Sequence, residues 1–474
     1  MKIAILLLTA LAFSPHFGVA GSASAASGMA RTLSGKARTV SAPQPGSPAV
    51  PDTILLSLGE AVSRALEANP ALRAQRASAA ATAQLPLEAS RAFLPSVSLG
   101  LQGMRTTDPV AVFGLKLRQE RFAMEDLALD ALNRPDAYSG YNATAMVQLP
   151  LLAPEGLYGF AAARKAAEAA EAGAGRAAGA TRFFAVQAYT GAQMAALQVT
   201  ALDTALAAVR AHVGQAEAMR EQGLVTGMDA RMASLKASEI EVKRVAAKAQ
   251  AENALSALKA MLALPESTEL RLMDELSGAP APSACAEPGA DCSWEGRGDL
   301  GAYAAGVDAA SMGVKRAWAS QLPALAAFGA LGHYAKDAPF RDGSGDWTVG
   351  IGLSWNPFQG LAGIGAVRAA RAEEASARAQ RENALRQAEV EVLQARRMVE
   401  AAREGAQVAA AAADEAQVAL EQARARYQTG TAPITELLDI QAAATNATLS
   451  ELAARGDLLV AYAALDLAYG VYDR

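Results

Sequence analysis

The chain is poor in the residues that build reactive or thickly packed sites. It has two cysteines, three histidines and four tryptophans in 474 residues, and 5% of it is aromatic. The cysteines, Cys285 and Cys292, lie close together in a Pro/Gly-rich stretch with no other soft ligand nearby, which argues against a metal site. In an oxidising compartment such a pair is expected to form a small local disulfide. Beyond the N-terminal leader the only histidines are His212 and His333. Neither sits in a Ser, Cys or carboxylate pattern suited to catalysis, so both read as ordinary surface residues. No catalytic residue, cofactor or metal is expected. Charged residues make up 19% and the net charge is −5, which leaves no basic field for nucleic acid. Beyond the leader no segment has about 20 uninterrupted apolar residues, the length of a membrane helix. Few aromatics argue against jigsaw-packed cores, whereas abundant alanine suits helices that approach closely over a long distance.

The N-terminus reads as a secretory signal over residues 1–25. Lys2 gives the positive start, Ile3 to Phe13 the short apolar stretch, and Ala23-Ser24-Ala25 the small-residue cleavage site. Residues 26–55, rich in Ser, Pro and Gly to Asp52, read as a flexible lead-in.

Beyond the lead-in the chain repeats itself. Leu94-Pro95-Ser96-Val97-Ser98-Leu99 is echoed by Leu322-Pro323-Ala324-Leu325-Ala326-Ala327, and Gln222-Gly223-Leu224 by Thr429-Gly430-Thr431. Each copy runs short helix, two strands, one very long helix, a Gly turn and a returning helix. The first copy is placed at 56–264 and the second at 299–474, with a linker at 265–298. A period near two hundred residues is too long for a solenoid, whose units run about 20–50 residues.

The strands alternate. Val97, Leu99 and Leu101 alternate with Ser98, Gly100 and Gln102, and Ala145, Val147 and Leu149 with Thr144, Met146 and Gln148. Pro150 and Pro154 are expected to close that second strand. In the second copy Trp347, Val349, Ile351, Leu353 and Trp355 alternate with Thr348, Gly350, Gly352 and Ser354. A Trp ends this apolar face at each side, spaced about 26 Å at strand rise. That matches the apolar band of an outer-membrane barrel, about 25 Å tall with aromatic girdles. Between the first two strands a long polar loop is expected from Arg105 to Gly140, against a short one from Ala335 to Gly345.

The helices carry heptads. Leu385, Val392, Val399, Ala406, Ala413, Leu420 and Tyr427 are spaced by sevens, with Ala388, Ala395, Ala402, Ala409, Ala416 and Ala423 three residues after the first six. Val199, Leu202, Leu206, Val209, Val213 and Ala216 form the matching seam of the first copy. Gly360 to Gln428 spans about 100 Å as helix and Leu157 to Met219 about 95 Å. Leu58 to Ala92, kinked or split at Pro86, and Met228 to Ala263 are about half as long. Four strands cannot close a membrane barrel, and an open sheet edge is not tolerated in lipid, so an oligomer of two, three or four copies is required.

With these parts the chain resembles the TolC family of outer-membrane efflux channels, from about Leu56 to Tyr472. The resemblance is carried by LSLGEAVSRALEANPAL with AFLPSVSLGLQG, by ARYQTGTAPITELLDIQAA, and by REQGLVTGMDARMASLKA in the first copy. It implies an α+β membrane protein: a homotrimeric 12-stranded transmembrane β-barrel, four strands per chain, continued by a long periplasmic α-helical coiled-coil barrel and built by internal duplication. It also implies a passive exit duct in the outer membrane, extending into the periplasm. Such a duct serves a tripartite efflux pump or type I secretion, with a periplasmic membrane-fusion adaptor and an inner-membrane transporter of the RND or ABC type.

The family gate then falls on Tyr427, with Asp229 as a carboxylate it can hydrogen-bond, and on Glu436 and Asp439 as an acidic ring at the pore entrance. Threefold symmetry would bring these carboxylates to one axis, where they attract cations. A frequent arginine of the turn is Ala432 here, so any salt bridge depending on it is absent. The turns Gly223-Leu224 and Gly430-Thr431 match the adaptor-docking positions, and Trp347 and Trp355 the membrane girdle. The rival reading is a periplasmic coiled-coil scaffold or adaptor without a channel. An adaptor would show one helical hairpin between β-rich halves, whereas this chain has two, each behind alternating strands.

Overall fold

The computed structural model describes residues 53–223, 225–274, 283–287 and 292–473. The expected signal peptide, all but the end of the expected lead-in, and Leu224 lie outside the described residues. In chain order the elements are β1 (Thr53–Leu56), α1 (Leu58–Ala68), α2 (Pro70–Thr82), α3 (Leu85–Ala89), β2 (Ser96–Thr106), α4 (Pro109–Arg118), α5 (Leu129–Asn133), β3 (Tyr138–Leu152), α6 (Pro154–Glu221) and α7 (Gly227–Met261). Then come β4 (Glu269–Leu272), α8 (Gly298–Ala319), β5 (Ala324–Ala335), β6 (Gly343–Ser354), α9 (Ala362–Gln428) and α10 (Ile434–Tyr469).

Local chemistry accounts for several departures from expectation. The helix expected over Leu58–Ala92 is three helices. Ser57 and Glu60 close a capping box on α1. Asn69 then ends α1 and caps α2 through Leu72 N (3.1 Å), with Pro70 at the first turn. Pro86 falls in the first turn of α3, where a missing N–H costs nothing. The polar loop expected from Arg105 to Gly140 holds α4, capped by Asp108 at Ala111 N (2.7 Å), and α5. The expected lead-in and linker each end up contributing a strand. β1 and β4 pair in parallel across more than two hundred residues of sequence, too short for either alternation to be legible alone. β3 runs on through Pro150 to Leu152, with a register shift there, and Pro154 opens α6.

The larger sheet is antiparallel in the order β2-β3-β5-β6. Its register lines up Leu99, Ala145, Leu331 and Trp347 in one row, and Val97, Val147, Gly329 and Val349 in the next. Residues aligned in this way share a face, so one side is a largely apolar surface, interrupted near one end by His333 in the row of Leu101 and Ala143. It is solvent-accessible in the single chain, with Leu99 81% and Val349 73% exposed. The other side carries Ser98, Thr144, Gln148, Thr348 and glycines.

Below the sheet, α6 and α9 have 68 and 67 residues, about 100 Å of helix each. α7 packs along α6, and α10 along α9. Every residue of the α9 seam from Leu385 to Tyr427 is buried or half-buried. α6 is the one described helix long and apolar enough over part of its length to cross a membrane by composition. It packs against α7, α8 and α10 instead.

Beside β1 and β4 a core of Leu56, Ala61, Ala65, Ala185, Tyr189 and Leu258 ties α1 to α6 and α7. The Tyr189 hydroxyl lies 2.8 Å from Asp274 Oδ2 and 3.0 Å from the Leu56 carbonyl. Burial, then the Asp274 carboxylate, push its pKa from 10.0 up to about 12. A raised folded-state pKa gives stability that is complete below pH 10 and lost as pH rises through about 12. Tyr189→Phe is therefore expected to cost about 1 kcal/mol at neutral pH and to flatten the alkaline fall in thermal midpoint. An unchanged alkaline profile would assign that fall to other tyrosines.

Candidate functional site at the helix turns

Both helix reversals lie at one end of the molecule. Residues of all four helices, among them Ala216 of α6, Ala230 of α7, Tyr427 of α9 and Leu437 of α10, form a single buried cluster there. Each reversal turns on a glycine in the left-handed region, Gly223 at φ 72° and Gly430 at φ 73°. A side chain with a Cβ would be strained at either position. Gly223 N donates to Arg220 O (2.9 Å) and Gly430 N to Tyr427 O (3.0 Å), closing the last turns of α6 and α9. Thr429 and Thr431 hydroxyls both donate to Arg426 O, at 3.0 Å each.

The expected gate residues gather at this end but pair differently. Tyr427 is 3% exposed, and its hydroxyl meets Met219 Sδ at 3.6 Å instead of Asp229. The Asp229 carboxylate is engaged elsewhere. It accepts from Thr226 N (2.9 Å) and Thr226 Oγ1 (2.7 Å), completing the capping box that starts α7. These bonds from Thr226, side chain first, hold its carboxyl below the usual carboxylate range. Asp229 still acts on Tyr427 at a distance, since burial and then the Asp229 charge raise the phenol's pKa.

Glu436 is paired across the turn with Arg426, at 2.5 Å. The basic partner missing at Ala432 is thus supplied from the end of α9, a contact invisible until the turn is formed. Both side chains are substantially exposed, so the pair contributes at most about 1 kcal/mol. Asp439 is exposed and makes no ion pair among the described residues. A little further up, Arg424 Nη2 donates to buried Gln441 (3.0 Å). His212 is half-buried near Arg424, not a surface residue, and burial followed by the Arg424 charge lowers its pKa. His333 is half-buried too, stacked on Phe340.

The remaining expected positions lie away from the turns. Trp347 stands 74% exposed on the apolar face, and Trp355, just past β6, is 57% exposed with its Nε1 donating to Gln321 O (3.1 Å). Cys285 and Cys292 are joined in a disulfide beside α9 and α10. No group of His, Cys, Asp and Glu able to hold a metal occurs among the described residues.

Residues 293–471 match the sequence profile of the outer membrane efflux protein family. The chain resembles the TolC-like outer membrane efflux proteins. The fold agrees over nearly its whole length. A membrane protein from Pseudomonas aeruginosa superposes with TM-score 0.73 at 21% identity, over 87% of this chain and 93% of that one. The CmeC outer membrane channel of Campylobacter jejuni gives 0.73 at 17%, over 87% and 85%. The outer membrane protein VceC of Vibrio cholerae gives 0.71 at 19%, over 87% and 96%. No curated protein matches the chain in sequence. At these identities the likeness to the solved outer membrane proteins is one of fold.

The capping box makes a direct prediction. Thr226→Ala or Asp229→Ala is expected to destabilise the first turn of α7 by about 1 kcal/mol. Faster amide hydrogen exchange confined to residues 226–230 is the readout. Tyr427→Phe should leave that exchange unchanged, because the tyrosine hydroxyl is not part of the box.

Proposed function

We propose that three copies of this efflux protein assemble into an exit duct that passively conducts substrates from an inner-membrane transporter and periplasmic adaptor to the cell exterior. The duct serves a tripartite efflux pump or a type I secretion system. The observation that carries this reading is the open sheet. β2 and β6 each pair on one side only, although the sheet's apolar face needs lipid around it. Unpaired backbone in lipid costs several kcal/mol per group, so the edges must meet those of other copies. Four strands from each of three copies give a 12-stranded barrel with the polar face inward. The two repeats, 56–264 and 299–474, each supply two strands, one long helix and one returning helix. A coiled-coil scaffold in the soluble periplasm has no use for such a face.

The duct carries no chemistry of its own. Its selectivity resides at the helix turns, where three Asp439 and three Glu436 approach one axis and favour cations. Arg426 neutralises part of that ring. The turns at Gly223-Leu224 and Gly430-Thr431 present the docking surface for an adaptor's helical hairpin.

Single-channel recording in planar bilayers tests this. The wild type is expected to give small, cation-selective openings. Glu436→Ala with Asp439→Ala should weaken cation selectivity. Arg426→Ala should strengthen it, by no more than about fivefold, since an exposed pair contributes at most about 1 kcal/mol. Recovery of the protein in the soluble periplasmic fraction, with no conductance, would sink the duct.

A further inference from the structure

The segment joining β2 to β3 does not stand clear of the sheet. α4 lies back across its end, and the sheet side chains it meets belong to the polar face. Gln119, 5% exposed, donates from Nε2 to the Ala335 carbonyl (3.2 Å) and accepts from the Tyr138 hydroxyl (2.9 Å). Leu115 lies over Gly140, where a Cβ would come within 2.9 Å of its Cδ2 and 2.8 Å of Gln119 Nε2. Arg118 donates to the Tyr334 hydroxyl (3.2 Å) with its guanidinium 5.0 Å above that ring, and its carbonyl accepts from Ser344. Tyr138 and Gly140 alternate in phase with Asn142, which pairs with Tyr334, which pairs with Ser344. All five therefore lie on the side away from Leu99 and Val349.

α4 has a second apolar side. Leu115 and Gln119 meet the sheet, and Val112, at helical spacing from both, is buried. Val110, Phe113 and Leu117 repeat that spacing about half a turn away, and are 80%, 37% and 49% exposed. An apolar stripe of this kind facing lipid would be unremarkable. This one faces away from the inner wall, where an aqueous lumen is expected.

We infer that α4 is a second constriction of the duct, at its outer mouth, in which Val110, Phe113 and Leu117 form an apolar size filter seated on the barrel wall by Gln119 and Arg118. The inference rests on the proposed closed barrel with its polar face inward. Apolar constrictions regulate passage by excluding water without needing a full steric block. The filter discriminates by size and polarity, whereas the acidic turns at the far end discriminate by charge. Lys116, paired with Asp126 at 2.6 Å, holds the return of the segment against α4.

The test uses the full-length protein in intact cells. Both native cysteines are tied in the disulfide, so Thr144→Cys, on the polar face below α4, supplies one free thiol. It is exposed from outside to a small maleimide and to one bearing a bulky polyethylene glycol. With α4 intact the small reagent should label quickly and the bulky one slowly. Gln119→Ala should raise bulky labelling about tenfold, as expected for loss of two buried hydrogen bonds. Replacement of residues 109–133 by a short Gly/Ser linker should raise it at least as much and leave the small reagent unaffected. Equal bulky labelling in the intact and linker proteins would overturn the constriction while leaving the duct standing. A Thr144→Cys thiol that even the small reagent never reaches would remove the aqueous lumen, and the constriction with it.

Discussion

A helix about 100 Å long keeps its neighbours packed along it only if no facing side chain wedges them apart, and along the α9 seam that meets α10 the residues are mostly alanine. Along α9 the seam sets Leu385, Val392, Val399 and Leu420 among alanines, is wholly alanine from Ala402 to Ala416 and ends on Tyr427, and α10 answers with Ala444, Leu458 and Ala461. Small residues let backbones approach, and dispersion contacts then accumulate over the full length. This close approach sets everything at either end. It carries the strand pairs at one end and brings two glycine turns together at the other. A larger residue in the seam would act far from its own position, since the error in approach is carried along the helix.

The chemistry of the two ends is correspondingly different. The sheet separates its faces by alternation alone. Leu99, Leu331, Val349 and Trp347 stand on one side, with Thr144, Thr348 and Ser344 on the other. The turns separate their groups by burial. Tyr427 is withdrawn among Leu437, Leu438 and Ile434, while Arg426, Glu436 and Asp439 remain accessible. The tips thus combine a buried apolar cluster with an exposed charge pattern. The layer of β1 and β4 near mid-helix adds a third element. It clamps the start of the chain to the stretch after α7, through the Tyr189 hydroxyl and Asp274.

Much of this was legible in the residues. The alternation around Val97, Ala145 and Val349 marks strands because its period is two. The sevens from Leu385 mark a packed helix because few other arrangements repeat so strictly. The glycines of both turns were legible as chain reversals. The site was read less well. Thr226 and Asp229 carry the T-x-x-D spacing of a capping box, a signal present in the sequence that competed with the pairing of Asp229 to Tyr427. The burial of His212 could not be read, because a histidine on a heptad helix is exposed or covered according to which neighbour arrives.

The order of the elements, the apolar faces and the reversals of the chain can be read along the residues alone. These are properties of local periodicity and of single residues with restricted backbones. It is in the folded molecule that β1 finds β4, that Arg426 reaches Glu436 around the turn, and that α4 rests on the sheet through Gln119. Each of these joins residues whose separation in space depends on the angle of a turn or the length of a helix between them. No local pattern fixes those quantities, and packing does.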